Sequence, residues 1–67
     1  MMKYRKLRGK IREVYGSQSE FARAMGKDPS TISAKLAGKT SWTREEIERV
    51  CVLLGFPIAE IGEYFFT

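Results

Sequence analysis

The sequence predicts an all-α fold of five short helices, and three observations support that expectation. Apolar residues recur at three- and four-residue steps along most of the chain, and no stretch alternates in the manner of a strand. Gly16, Gly26, Gly38, Gly55 and Pro57 stand where one such run gives way to the next. Two of these breaks lead into a hydroxyl residue followed by a glutamate three places on, Ser17 with Glu20 and Thr43 with Glu46. In that pattern hydroxyl and carboxylate satisfy the orphan amide donors at a helix start.

The first helix runs from Tyr4 with Leu7, Ile11 and Val14 on its apolar face, and Gly16 ends it. The second covers about Gln18 to Met25 and turns Phe21, Ala22 and Met25 inward before Gly26 breaks it. Asp28 then stands as N-cap with Pro29 at the first helical position, where the missing N–H is no loss and the fixed φ suits a helix. This third helix, Pro29 to Ala37, buries Ile32 and Leu36 and stops at Gly38, a natural left-handed cap. A polar loop of Lys39, Thr40, Ser41 and Trp42 leads to the fourth helix, which runs through Leu54 with Ile47, Val50, Cys51 and Leu54 inward. After Phe56 and Pro57, a fifth short helix holds Ile58, Ile61, Tyr64, Phe65 and Phe66, its length limited by Gly62. Residues 1–67 are expected to make one domain.

With 67 residues, one cysteine and no histidine, no intrachain disulfide and no Cys/His zinc site is possible, so packing alone must hold the fold. No cofactor is expected. No apolar run approaches the ~20 residues of a transmembrane helix, and the basic start does not read as a signal peptide, so a cytoplasmic protein without membrane partners is expected. The inventory also argues against an enzyme or a small-molecule substrate. It has no histidine, no glycine-rich phosphate loop and no carboxylate pair in environments that separate their pKa values, and Cys51 lies on an apolar helix face.

The net charge of +4 is unevenly spread: residues 1–39 carry ten Lys/Arg against three acids, whereas 40–67 carry two against five. The basic half is suited to a polyanion. The run Lys3, Arg5, Lys6, Arg8, Lys10, Arg12 is equally the solvated face of an amphipathic helix, so a motif is needed to decide. The joint between the second and third helices supplies one. Ala22 permits close helix crossing, Gly26 takes the positive φ of a sharp turn, and Ile32 pins the third helix to the core, which together define helix-turn-helix geometry.

The stretch from Gln18 to Gly38, with Gln18, Ala22, Gly26, Ile32 and Ser33 at the motif positions, resembles the helix-turn-helix of the phage repressor and Cro family. A basic first helix, the Gly38-Lys39-Thr40 loop and two further helices extend the resemblance, with the lambda repressor-like domain, to nearly the whole chain. It implies a cytoplasmic, usually homodimeric transcriptional regulator of phage or prophage origin that binds double-stranded DNA at a pseudo-palindromic operator. Carried over by position, Ser30, Thr31 and Ala34 face base edges in the major groove, where hydroxyls pair with donors or acceptors and a methyl packs on thymine. Gln18, Lys27, Lys35, Lys39, Thr40 and Ser41 are implied at the sugar-phosphate backbone, which positions without specifying.

Lys10 and Arg12 either reach phosphate or belong to the solvated face. Pro29 departs from relatives that carry a base-reading glutamine, which shifts discrimination toward DNA shape and water-mediated contacts. Asp28 is read as a cap rather than a groove contact, and Trp42 as a cover over the core with its N–H left wet. The competing class is an antitoxin-like or protein-interaction module that keeps the fold. Finally, the density of Phe56, Ile58, Ile61, Tyr64, Phe65 and Phe66 exceeds what one small core is expected to cover, which points to a homodimer interface there. The alternative is that Phe56, Ile61 and Phe65 fold back to seal the monomer core.

Overall fold

The computed structural model describes residues 4–65, whose regular structure is helical, without a strand among the described residues. Helix α1 (Arg5–Tyr15), α2 (Gln18–Met25), α3 (Pro29–Leu36) and α4 (Arg44–Leu54) are followed by a 3-10 turn, Ile58–Glu60, that runs directly into α5 (Ile61–Phe65). The expected all-α class and the expected order of five helices are what is found. Helix α1 packs on α2, α4 and α5, while α2 packs on α3 and α4.

Arg5 and Lys6 in the first turn of α1 oppose the helix dipole, and no acid stands there to offset them. The helix is held instead by its apolar stripe, with Leu7 and Ile11 essentially without solvent exposure. The stripe continues at Tyr15, whose hydroxyl donates to the Leu53 carbonyl at 3.3 Å and whose ring tilts against Phe21 at 5.5 Å between centroids. Val14, expected inward, is instead 45% exposed. A four-residue step from Leu7 through Ile11 reaches Tyr15, and Val14 falls at the edge of that face.

The turn between α2 and α3 is fixed by backbone chemistry. Gly26 adopts φ 73°, its N–H donates to the Arg23 carbonyl at 3.0 Å, and the Lys27 N–H donates to the Ala22 carbonyl at 2.9 Å, a Schellman closure. The same arrangement closes α3, where Gly38 at φ 82° and Lys39 donate to the carbonyls of Lys35 and Ala34. At the start of α2 the Ser17 hydroxyl accepts from the Glu20 N–H at 3.2 Å. Glu20 is exposed, and no bond returns from its carboxylate, so this box is half formed, whereas the Thr43–Glu46 box is complete. Asp28 occupies the N-cap position of α3 without a side-chain cap. Its backbone carbonyl accepts from Thr31 and Ile32 instead, so the expected carboxylate cap is corrected.

The C-terminal aromatics also differ from their expected place at a dimer interface. Phe56, Tyr64 and Phe65 are buried, Ile61 packs partly against the core, and Ile58 alone of the described set is well exposed. Phe66 lies outside the described residues. Phe56 stacks on Tyr64 at 4.0 Å, and Phe65 meets Trp42 and Tyr4 edge-on at 5.5 and 6.2 Å. These rings close the end of the core that α1 and α4 leave open, which is the fold-back alternative rather than a surface awaiting a second chain. Phe65→Ala is therefore expected to destabilise the chain by about 3–5 kcal/mol in urea unfolding, and Ile58→Ser to stay within about 0.5 kcal/mol.

Candidate nucleic-acid interface

The outer side of α3 is built by the burial of its inner side. Ile32 and Leu36 are fully buried, so Ser30 and Thr31 at the opposite surface are exposed, and Ala34, three and four residues on, lies half-buried beside them. The structure thus brings together the three residues expected to meet base edges. Lys39, Thr40 and Ser41 form an exposed loop just past the end of α3, and Gln18 sits half-buried in the first turn of α2.

A basic cleft of about 590 Å³ lies beside Gln18, lined by Arg5, Arg8, Gly9, Ile11, Arg12, Ser17 and Gln18. Arg5, Arg8 and Arg12 are spaced to share one face of α1. The Arg8 guanidinium donates to the Leu36 carbonyl at 3.0 Å, tying α1 to the C-terminal end of α3, where a cation also favours the helix dipole. Sequence reasoning named Arg12 but missed this cleft. The three- and four-residue spacing of the arginines was the available signal.

One of the expected phosphate contacts is placed differently, and a second is shared with a carboxylate. Lys35 is only 8% exposed, and its ammonium lies 3.0 Å from Glu46 Oε1, donates to the Ser41 carbonyl at 2.8 Å, and sits 5.8 Å from the centre of the Trp42 ring. This corrects the expectation that Lys35 meets a phosphate, because its charge is directed into the protein. Lys27 remains exposed, and its ammonium also reaches Glu46, at 3.4 Å from Oε2. Trp42 is half-buried as expected, but its indole N–H is buried without a hydrogen-bond partner rather than wet.

Glu46 is the hub of this cluster. It accepts from the Thr43 N–H at 2.8 Å while its own N–H donates to Thr43 Oγ1 at 3.2 Å. Burial by itself pushes the carboxyl pKa up, but the Thr43 N–H and the ammonium groups of Lys35 and Lys27 outweigh it and hold the value at about 2. Elsewhere burial pushes the Cys51 thiol pKa up, as suits a packed and unreactive side chain.

A family profile carrying the description "Protein of unknown function (DUF739)" matches residues 1–67. The chain belongs to the DUF739 family. This family member is also similar to a protein of known structure, the modulator of repression (MOR) of the temperate bacteriophage TP901-1 from Lactococcus lactis. Its solution structure aligns with a TM-score of 0.87 at 39% sequence identity, over 98% of this chain and 89% of that one. Among curated protein sequences, none matches the chain.

The depressed Glu46 pKa has a consequence for stability. A carboxyl whose folded pKa lies below its unfolded value stabilises the fold fully above the unfolded value, and that contribution is lost as pH falls through the folded one. Glu46 therefore contributes on the order of 3 kcal/mol above about pH 5, declining toward pH 2. In urea unfolding as a function of pH, the stability difference between the unaltered chain and Glu46→Gln is expected to be largest above pH 5 and to shrink steadily toward pH 2. A pH-independent difference would remove the charge from the explanation.

Proposed function

We propose that this chain is a phage regulator of repression that works from the host cytoplasm through its helix-turn-helix, inserting α3 into the major groove of double-stranded DNA in the manner of the phage repressor and Cro family. The observation that carries the reading is an uncharged α3 surface of exposed Ser30 and Thr31 with half-buried Ala34, on a chain that also carries the Arg5–Arg12 cleft with Gln18 and the exposed loop of Lys39, Thr40 and Ser41. In this reading the arginines and Lys39 neutralise phosphates and set the register, while the short α3 side chains approach base edges closely. The role named for the TP901-1 protein, a modulator of repression, supports a regulatory task over catalysis. A two-fold operator complex would require a pairing surface other than Phe56, Tyr64 and Phe65, which are occupied in the core.

One observation favours a second reading. With Lys27 and Lys35 both engaged by Glu46, the α3 surface is weaker in positive charge than its sequence implies, and a neutral, hydroxyl-bearing helix fits another regulatory protein as well as a groove. In that reading the chain modulates repression by binding a phage repressor rather than an operator.

Selection of duplexes from a random pool at fixed salt, alongside co-migration with a purified phage repressor, separates the two. For DNA, Ala34→Glu is expected to abolish selection with the fold intact, and Ser30→Ala to cost about 1–3 kcal/mol at one base position. Lys39→Ala should weaken all duplexes alike and make the slope of log K against log salt shallower by about 0.9. No duplex selected at any salt, together with a repressor complex sensitive to Ala34→Glu, would favour the protein partner and overturn the DNA reading.

A further inference from the structure

Two lysines that the sequence assigns to the DNA side of the molecule converge on one carboxylate of α4. Glu46 projects from the first turn of α4 and takes Lys35 from the last turn of α3 at 3.0 Å and Lys27 from the α2–α3 turn at 3.4 Å, each on a separate oxygen. The remaining surroundings of the Lys35 ammonium are the Ser41 carbonyl and the face of Trp42, so its donors point inward. Glu46 itself is only 9% exposed and is locked by the Thr43 box, so the carboxylate cannot swing away without breaking the cap of α4. Capping alone asks much less of this position. The Ser17–Glu20 start of α2 has the same pattern with an exposed glutamate that engages no lysine among the described residues.

We infer that Glu46 withholds Lys27 and Lys35 from any polyanion approaching α3 and so sets how strongly that surface attracts phosphate. The consequence is a helix-turn-helix whose contact surface attracts a generic phosphate backbone weakly, leaving discrimination to the fit of Ser30, Thr31 and Ala34. Counter-ion release grows with each lysine that reaches a phosphate and is indifferent to sequence, so withholding two lysines weakens binding to all duplexes alike and leaves a smaller share of the remaining affinity to the backbone. The effect on DNA affinity rests on the proposed DNA reading; the withholding of charge does not.

The test compares Glu46→Gln with Glu45→Gln, which adds the same unit of net charge at an exposed position in the same turn of α4. The glutamine at 46 retains a carbonyl oxygen for the Thr43 N–H but cannot hold two ammonium groups. Retention on immobilised heparin reads the charge presented, and binding to a random-sequence duplex across a salt series reads the phosphate contacts. Glu46→Gln is expected to elute at higher salt than Glu45→Gln and, on DNA, to steepen the salt slope by about 0.9 for each lysine released. Adding Lys27→Met to Glu46→Gln should reverse part of the gain. Equal retention of the two single variants overturns the inference. If the unaltered chain binds no duplex while Glu46→Gln still shows the heparin shift, the DNA reading fails and the withholding of charge stands. Should Glu46→Gln lose its cooperative melt, Lys27→Met and Lys39→Met in the otherwise unaltered chain decide. A withheld Lys27 predicts a loss of heparin retention less than half that of Lys39→Met, and equal losses overturn it.

Discussion

The fold depends on how α3, a helix of eight residues, is kept helical. A segment that short has little helical stability of its own in water, since nucleation costs more than two turns of hydrogen bonds return. What holds it is the complete burial of Ile32 and Leu36 in the same cluster as Phe21 and Ala22. Pro29 at its start reduces the entropy to be overcome, the Gly38 closure satisfies the Lys35 and Ala34 carbonyls, and Arg8 satisfies the Leu36 carbonyl at the C-terminal end. Every feature of the outer surface follows from that inner seat. Ser30 and Thr31 are exposed because Ile32 and Leu36 are not.

Much of this was legible in the sequence because it is local. Glycines that must adopt positive φ, a proline at a first helical position and hydroxyl–glutamate pairs three apart act through backbone geometry within one or two turns. They locate α2 and the start of α3 and α4 without knowledge of the rest of the chain. The stripe on α1 was legible except at its end, where Val14 and Tyr15 compete for the last inward place and only contact with Phe21 and Leu53 decides for tyrosine.

The parts that were not legible depend on residues distant in sequence. Lys35 reads as a flanking cation until α4 brings Glu46 beneath it, and no pattern within α3 signals that crossing. Phe56, Tyr64 and Phe65 read as surplus apolar area because the opening they fill is formed by α1 and α4 together with Tyr4 and Trp42. In a chain of 67 residues a few aromatic rings are a large share of the core, so a surface estimate made segment by segment overstates what is left outside.

Trp42 is the sole tryptophan of the chain, and its setting gives the protein a built-in optical reporter. The indole meets Phe65 of α5 and Tyr4 at the head of α1, its N–H is shielded from water, and the Lys35 ammonium of α3 lies over its face. Emission colour and quenching at this one ring therefore register the docking of three helices and the position of a charge at once. Loosening α5 would wet the ring and move its emission to the red, whereas withdrawal of Lys35 alone would alter intensity with the ring still dry. The two events can be told apart by fluorescence without attaching a label.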